Sequence, residues 1–454
     1  MDDSMYNAIL LALLAVSILT FLHLVGSRRR RLPPGPSTLP VIGSVHHVVN
    51  TLVHRRLRDL AAVHGPIMML RIGAMPLVVV TSRELAREVL KVQDPNFANR
   101  PRLLVGGICG YGWADIIFAP TSDYWRKIRK LCIQEVLSPK RIRSFQCISE
   151  EEVARQVDAI RAAAAAGAPP HHLEVVVRGG APRHAVFQDA IKRVIGLSSG
   201  FNVPDLFLTG MKRKLREIHR TFDAILVDII DKRRRERAQM VAAGKEVVDE
   251  NVVDVMLTLQ KNDDAWDFPV TDNTIKAVVL DMFAGGTGTS GSSTEWVMSE
   301  IVRNPREAIR LHPAAPLLVP RESIDTAEFG GYVVPGGSRI VVNAWAISRD
   351  PRYWKDPEEF RPERFAEDGA VDFYGLHFEF TPFGAGRRMC PGYNYGLAGM
   401  ELSLLQLMYH FDWRLPPGVD ELDMEEAMGL GVRRKNSLML CAIPYVPEPA
   451  MPVG

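Results

Sequence analysis

The chain has 454 residues, and its 55 Lys and Arg offset 53 Asp and Glu to leave a formal net charge of +2, which excludes nucleic-acid binding driven by bulk charge. Apolar residues make up 47% and charged residues 24%, the balance of a globular protein with ample material for a large core. The five cysteines (Cys109, Cys132, Cys147, Cys390 and Cys441) are odd in number and none sits at CxxC spacing, which argues against a disulfide framework and a zinc site and for a reducing compartment.

The N-terminal stretch Met5–Val25, MYNAILLALLAVSILTFLHLV, has no charged side chain unless His23 is protonated. It matches the roughly 20 residues a helix needs to cross a bilayer. Asp2 and Asp3 precede it and Arg28, Arg29, Arg30 and Arg31 follow it, which places the rest of the chain on the cytosolic side. A cleaved secretory signal fits less well, because the run is long, its positive cluster lies behind it and no small-residue cleavage site follows. LPPGP (Leu32–Pro36) makes a stiff exit. The expected organisation is an anchor over 1–27, a basic and proline-rich linker over 28–37 and one domain over 38–454.

Within that domain His54–Gly65 has helical spacing and a glycine stop, and Ile67–Ser82 reads as two short strands joined at Gly73. Ser82 caps a helix running to Val92, and Ser122–Ser138 reads as another. An alanine run, Ala162–Ala166, ends a helix at Gly167. Leu215–Val241 predicts a long amphipathic helix, and Thr271 caps a further one whose periodicity crosses a cluster of small residues. Gly330–Asp350 has strand character, and Ala398–Leu415 is a long apolar helix. The expected fold class is mainly α with a minor β region.

FGAGRRMCPG (Phe383–Gly392) holds one cysteine in a loop rich in glycine and arginine. Gly384, Gly386 and Gly392 open backbone conformations and allow close approach to a flat ligand. Arg388 offers a fork of donors for a carboxylate. Turn N–H groups and the start of the next helix favour a thiolate at Cys390. The alternative is an inert cysteine in a glycine turn. Glu307 and Arg310, at i and i+3, share a helical face and either pair there or form an ordinary solvated pair.

The arrangement Phe383-x-x-Gly386-x-Arg388-x-Cys390-x-Gly392 resembles the haem-binding loop of the cytochrome P-450 superfamily. The resemblance implies that fold, a helical haem domain with small β sheets behind a transmembrane helix, and haem b held through the Cys390 thiolate, which favours O–O cleavage. FRPERF supplies Arg364, which the resemblance joins to Glu307 and Arg310 in a network behind the haem. Trp125 and Arg129 in YWRKIRK match the W-x-x-x-R motif, and with Arg321 in LLVPRES they are implied to meet the haem propionates. The chain is most similar to the plant microsomal, reductase-dependent branch that includes terpenoid hydroxylases.

AGGTGTS (Ala284–Ser290) resembles the family's oxygen-side motif, which implies that Thr289 helps deliver protons to dioxygen at the haem. Gly288 stands where the family carries an acid, so the relay is expected to rest on Thr289, Thr287 and water, with a local bulge making room. The resemblance also implies that the chain is shortened near 169–194, where LEVVVRGG reads as strand or loop in place of a bundle helix, and near 301–306. Arg126, Lys127, Lys130, Lys140, Arg141 and Arg143 offer a basic face to an acidic reductase. Arg100–Pro120, Pro313–Val319 and Glu425–Val432 fall where the family lines its substrate pocket, and are apolar and rich in small residues.

The implied function is a monooxygenase of the endoplasmic reticulum membrane, single-pass with its catalytic domain cytosolic, hydroxylating an apolar small molecule of plant specialised metabolism. It uses dioxygen and electrons from NADPH through NADPH-cytochrome P-450 reductase. Two alternatives stay open: a haem-thiolate isomerase or dehydratase that needs no reductase, and a truncated, non-catalytic remnant.

Overall fold

The computed structural model describes residues 32–166, 171–172, 182–197, 210–262, 266–300, 305–366, 371–427 and 429–445. The expected anchor, 1–27, lies outside them, and no helix among the described residues is long and apolar enough to cross a membrane. Helices predominate, with small sheets set beside the bundle.

Helix α1 (Val53–His64) stops at Gly65, whose φ of 99° suits glycine and whose N–H closes on the Ala61 carbonyl at 2.8 Å. Strands β1 (Ile67–Ile72) and β2 (Met75–Val80) form a hairpin turning at Gly73. Their side chains alternate between two cores: Ile67, Val78 and Val80 pack on one face, and Met68, Leu70, Leu77 and Val79 on the other. Being buried on both faces explains the near-continuous apolar run.

Helix α2 (Asp123–Leu131) begins where the Ser122 hydroxyl accepts the Trp125 N–H, and α3 (Gln146–Ala165) ends in the predicted alanine run. Strand β3 (His171–His172) and helix α4 (Pro182–Leu197) follow. Thus a helix does occupy the C-terminal part of 169–194, while LEVVVRGG itself lies outside the described residues. Helix α5 (Met211–Ala242) is the long amphipathic one, and α6 (Val252–Lys261) is capped by Asn251.

Helix α7 (Asp272–Ser299) starts at the Thr271 cap and runs as unbroken α-helix through Gly285, Gly286 and Gly288. The expected bulge is therefore absent. Burial of its two flanks, against α2, α4, α5 and α6 in its first half and against α3, α8 and α9 in its second, outweighs about 1 kcal/mol lost at each glycine. Helix α8 (Pro305–Leu311) carries Glu307 and Arg310. Strands β4 (Arg321–Glu322) and β7 (Arg339–Val342) complete a sheet of order β1-β2-β7-β4, with β2 and β7 parallel, while β5 (Ala327–Phe329) and β6 (Tyr332–Val334) form a separate hairpin.

Helix α9 (Tyr393–His410) follows the cysteine loop and packs on α7, and ends into β8 (Phe411–Arg414). Strand β11 (Met439–Pro444) pairs with both β8 and β3, and β9 (Glu426–Ala427) pairs with β10 (Arg433–Arg434). All five cysteines are free thiols.

Candidate active site

The cysteine loop is shaped by backbone before side chains. Gly386 has a φ of +70°, and a Cβ there would lie 2.1 Å from the Leu90 carbonyl oxygen, so only glycine fits. The Phe383 carbonyl accepts the Cys390 N–H at 2.9 Å, and the Phe383 ring packs edge-on to Phe373 at 5.1 Å. Cys390 is partly buried. Burial pushes its thiol up from the usual value, against the opposing pull of the Gly392 N–H and of Arg129. Those two donors act in the direction expected of the loop, and a bound iron cation would add to them.

Beside the loop four arginines converge. Arg388 is buried, its guanidinium 3.6 Å from the Trp125 ring centroid, and donates to the carbonyls of Ala98 and Ala119 at 2.8 Å. Trp125 Nε1 donates to the Ile116 carbonyl at 3.1 Å. Arg129 donates to the Met389 carbonyl, next to Cys390. Arg321 is split between Asp94 (2.8 Å) and the Ala385 carbonyl (2.8 Å). Arg100 is buried and spends its donors on the carbonyls of Ile117, Val319 and Pro320.

Burial and mutual repulsion bring the cluster's pKa values down. Arg388 is pulled to about 9 by burial, then by Arg321 and Arg129. Arg100 falls well below its usual value through burial, then Arg388, Arg321 and Arg129. Sequence reasoning found Trp125, Arg129, Arg321 and Arg388 but missed Arg100 and Asp94. Asp94 opens a one-turn helix, Asp94–Phe97, and Arg100 lies in the loop just after it, and no spacing marks either.

Behind the loop, Glu307 and Arg310 are fully buried. Arg310 Nε and Nη2 donate to the two Glu307 oxygens at 2.8 and 2.7 Å, and Arg364 Nε reaches Oε1 at 3.0 Å. Arg310 also donates to the carbonyls of Ser348 and Pro357, tying α8 to two loops.

On α7 the Thr289 side chain is exposed and its hydroxyl donates to the Gly285 carbonyl one turn back. A Cβ on Gly288 would meet Ile195 Cδ1 of α4 at 3.3 Å. Gly288, Thr287, Thr289 and Ser292 border a cavity of about 50 Å³ that α4 and the turn 431–433 close from the other sides. Of the three expected lining segments, two contribute, through Ala314 and through Gly431 and Val432, while none of the Arg100–Pro120 residues borders it; α4 does, which the sequence did not indicate.

A second unpredicted feature joins α7 to the segment before α2. Asp281 accepts the Ile116 N–H at 2.6 Å, Asp115 accepts the Phe118 N–H, and the other Asp115 oxygen is buried without a partner. Burial and proximity raise both carboxyls, Asp115 to about 6 and Asp281 further.

The six basic residues of the expected docking face are partly neutralised: Arg126 pairs with Asp123, Lys127 with Asp267 at 2.7 Å and Arg141 with Asp249 at 3.1 Å.

A helix-rich domain with a glycine-shaped cysteine loop, an Arg–Glu–Arg lock behind it and a threonine-bearing central helix defines a haem-thiolate protein. The family model for cytochrome P-450 matches residues 33–177, 184–307 and 306–442, and the chain belongs to that family. It is 41% identical to 5-epiaristolochene 1,3-dihydroxylase of Nicotiana tabacum, with 93% of this chain and 94% of the relative covered. It is 42% identical to premnaspirodiene oxygenase of Hyoscyamus muticus over the same shares. Among solved structures, a zebra fish cytochrome P-450 with abiraterone shares the fold at a TM-score of 0.70 and 21% identity, covering 87% of this chain and all of that one.

The protein is thus a cytochrome P-450 monooxygenase, and its cofactor is haem with a cysteine thiolate on the iron. The residues fit that group. Three buried guanidiniums and the half-buried Arg129 face, among the described residues, the carboxylates of Asp94 and Asp115 and otherwise lean mostly on main-chain carbonyls, so the cluster suits a ligand bringing two carboxylates.

Proposed function

We propose that this chain hydroxylates an apolar small molecule of plant specialised metabolism, a terpenoid, with electrons delivered from NADPH by a reductase. The observation that carries the reading is the convergence of Cys390 with the Trp125, Arg129, Arg321 and Arg388 cluster. The terpenoid assignment draws on the likeness to the tobacco dihydroxylase and the premnaspirodiene oxygenase.

Haem supplies activation of dioxygen and the chain's residues supply the rest. Cys390 is the thiolate ligand, Phe383 and Gly386 hold its loop, and the arginines with Trp125 hold the propionates. Thr289 and Thr287 carry protons with water, Gly288 providing no acid. Glu307, Arg310 and Arg364 keep the loop's support in place. Lys130, Lys140 and Arg143, for which no ion pair is seen among the described residues, are the docking cations left for the reductase. Met5–Val25 anchors the chain in the endoplasmic reticulum membrane.

We also read the chain as internally shortened. The family match breaks between 177 and 184 and restarts at 306, and the alignment to the tobacco enzyme runs over 482 residues, more than the 454 the chain has.

The test is expression with haem, a reduced carbon monoxide difference spectrum, then NADPH-dependent oxygen uptake with added reductase. A thiolate-type Soret band and reductase-dependent product are expected. A band without NADPH-dependent uptake would favour an isomerase or dehydratase, and no band in a folded, haem-supplied preparation would sink the reading.

A further inference from the structure

We propose that the substrate carries a carboxylate and that the cavity between α4, α7 and the turn 431–433 binds it. This rests on the monooxygenase reading and adds one chemical feature to the substrate.

The cavity, about 50 Å³, has room for a group of a few heavy atoms, since on the same measure a single water needs about 10–15 Å³. Its charged lining has a single sign. Lys192 of α4 and Arg433 of β10 border it, and among the described residues no Asp or Glu does. Among the other polar lining groups, the Gln188 amide and the hydroxyls of Thr287 and Ser292 are of donor type, while the Thr289 hydroxyl is turned to the Gly285 carbonyl.

Arg433 differs from its neighbour in a way that points to a ligand. Arg434 is buried, donates to the Ser299 hydroxyl at 2.8 Å and lies 5.4 Å from the Trp296 ring centroid, so it belongs to the core. Arg433 is exposed, has no carboxylate partner among the described residues, and makes one weak contact, 3.5 Å, to the Arg434 carbonyl. Its fork is free to take a carboxylate in a bidentate grip.

An uncharged hydrocarbon in this cavity would offer the Arg433 guanidinium no counter-charge. A terpenoid acid would supply one while Ile191, Ile195 and Val432 accept its skeleton. Anchoring one end beside Thr289 fixes which carbons are presented for oxidation.

The test uses the full chain loaded with haem. Farnesoic acid, methyl farnesoate and farnesene are titrated, with abietic acid and its methyl ester as a bulkier pair, and read by equilibrium dialysis and by the substrate-induced Soret shift. At least one acid is expected to bind about ten-fold more tightly than its ester, as a charge-assisted contact gives. Arg433→Ala should erase that preference and Arg433→Lys should keep part of it. Esters or farnesene binding as tightly as the acids, no acid-preferring binding in either pair, or Arg433→Ala weakening acid and ester equally would each overturn the proposal. The reduced carbon monoxide spectrum of the same sample reports separately on the monooxygenase reading.

Discussion

Glu307 is fully buried with both carboxylate oxygens engaged, one by Arg310 and the other by Arg310, Arg364 and the Arg361 N–H. Such a pair contributes little against an apolar replacement, but breaking it leaves Arg310 charged and unpaired. Glu307→Ala is expected to cost about 3–5 kcal/mol and the thiolate-type spectrum. Urea unfolding checks the first, and a loss under 1 kcal/mol, by the same reasoning, would mean that Arg310 finds other anions. At Gly288 the decisive neighbour is Ile195: a Cβ 3.3 Å from its terminal methyl displaces that side chain by tenths of an ångström, so Asp is tolerated there. Gly288→Asp should raise product formed per NADPH by lowering peroxide release. Unchanged coupling and turnover would show that the hydroxyls and water already suffice.

At the scale of elements, α7 is fastened to the segment before α2 by Asp115 and Asp281, with Arg388, Arg100, Tyr124 and Cys132 as ionisable groups nearby. Burial places the Asp115 pKa near 6, above its ordinary value of 3.8. The folded state therefore holds a proton more tightly than the unfolded chain. The stabilising contribution is full below 3.8 and is lost as pH rises through about 6. The melting temperature should fall between pH 5 and pH 7 by about a few degrees, and Asp281→Asn should flatten that slope. A slope unchanged in the variant would assign it to other groups. Most elements were legible in the sequence because caps and periodicity are local: Ser82 and Thr271 each cap where expected, and Ser122 caps the helix read from that position. Helix α4 as a cavity wall was not, since facing α7 is a property of packing.

Across the whole molecule the arginine cluster makes the haem-free state self-repelling, and the two carboxylates of bound haem would discharge it, so haem loading should stabilise the fold. Loading should add about 4 kcal/mol at a thousand-fold excess over Kd, seen as a higher melting temperature. Equal melting of loaded and haem-free chain would contradict propionate binding there. Helix α9 also exposes Leu405 (68%) and Tyr409 (74%) beside Met408, an apolar strip on a chain shorter than its alignment to the tobacco enzyme. Leu405→Lys with Tyr409→Lys is expected to reduce concentration-dependent self-association on size exclusion and leave the carbon monoxide spectrum unchanged. No change in elution would show that the strip is harmless.

The sequence alone determined the cysteine loop, its arginine and glycines, the Glu–Arg pair and the missing acid at Gly288, because each is written in neighbouring residues whose spacing carries the chemistry. Only the tertiary structure decided that α7 stays helical through its glycines, that burial holds the Cys390 thiol up against its local donors, and that Arg100 joins the cluster. It also brought Asp115 to Asp281 and Arg433 to a cavity bordered by Lys192. Those outcomes depend on dehydration and on charges brought together from distant parts of the chain, and neither is recorded in local order.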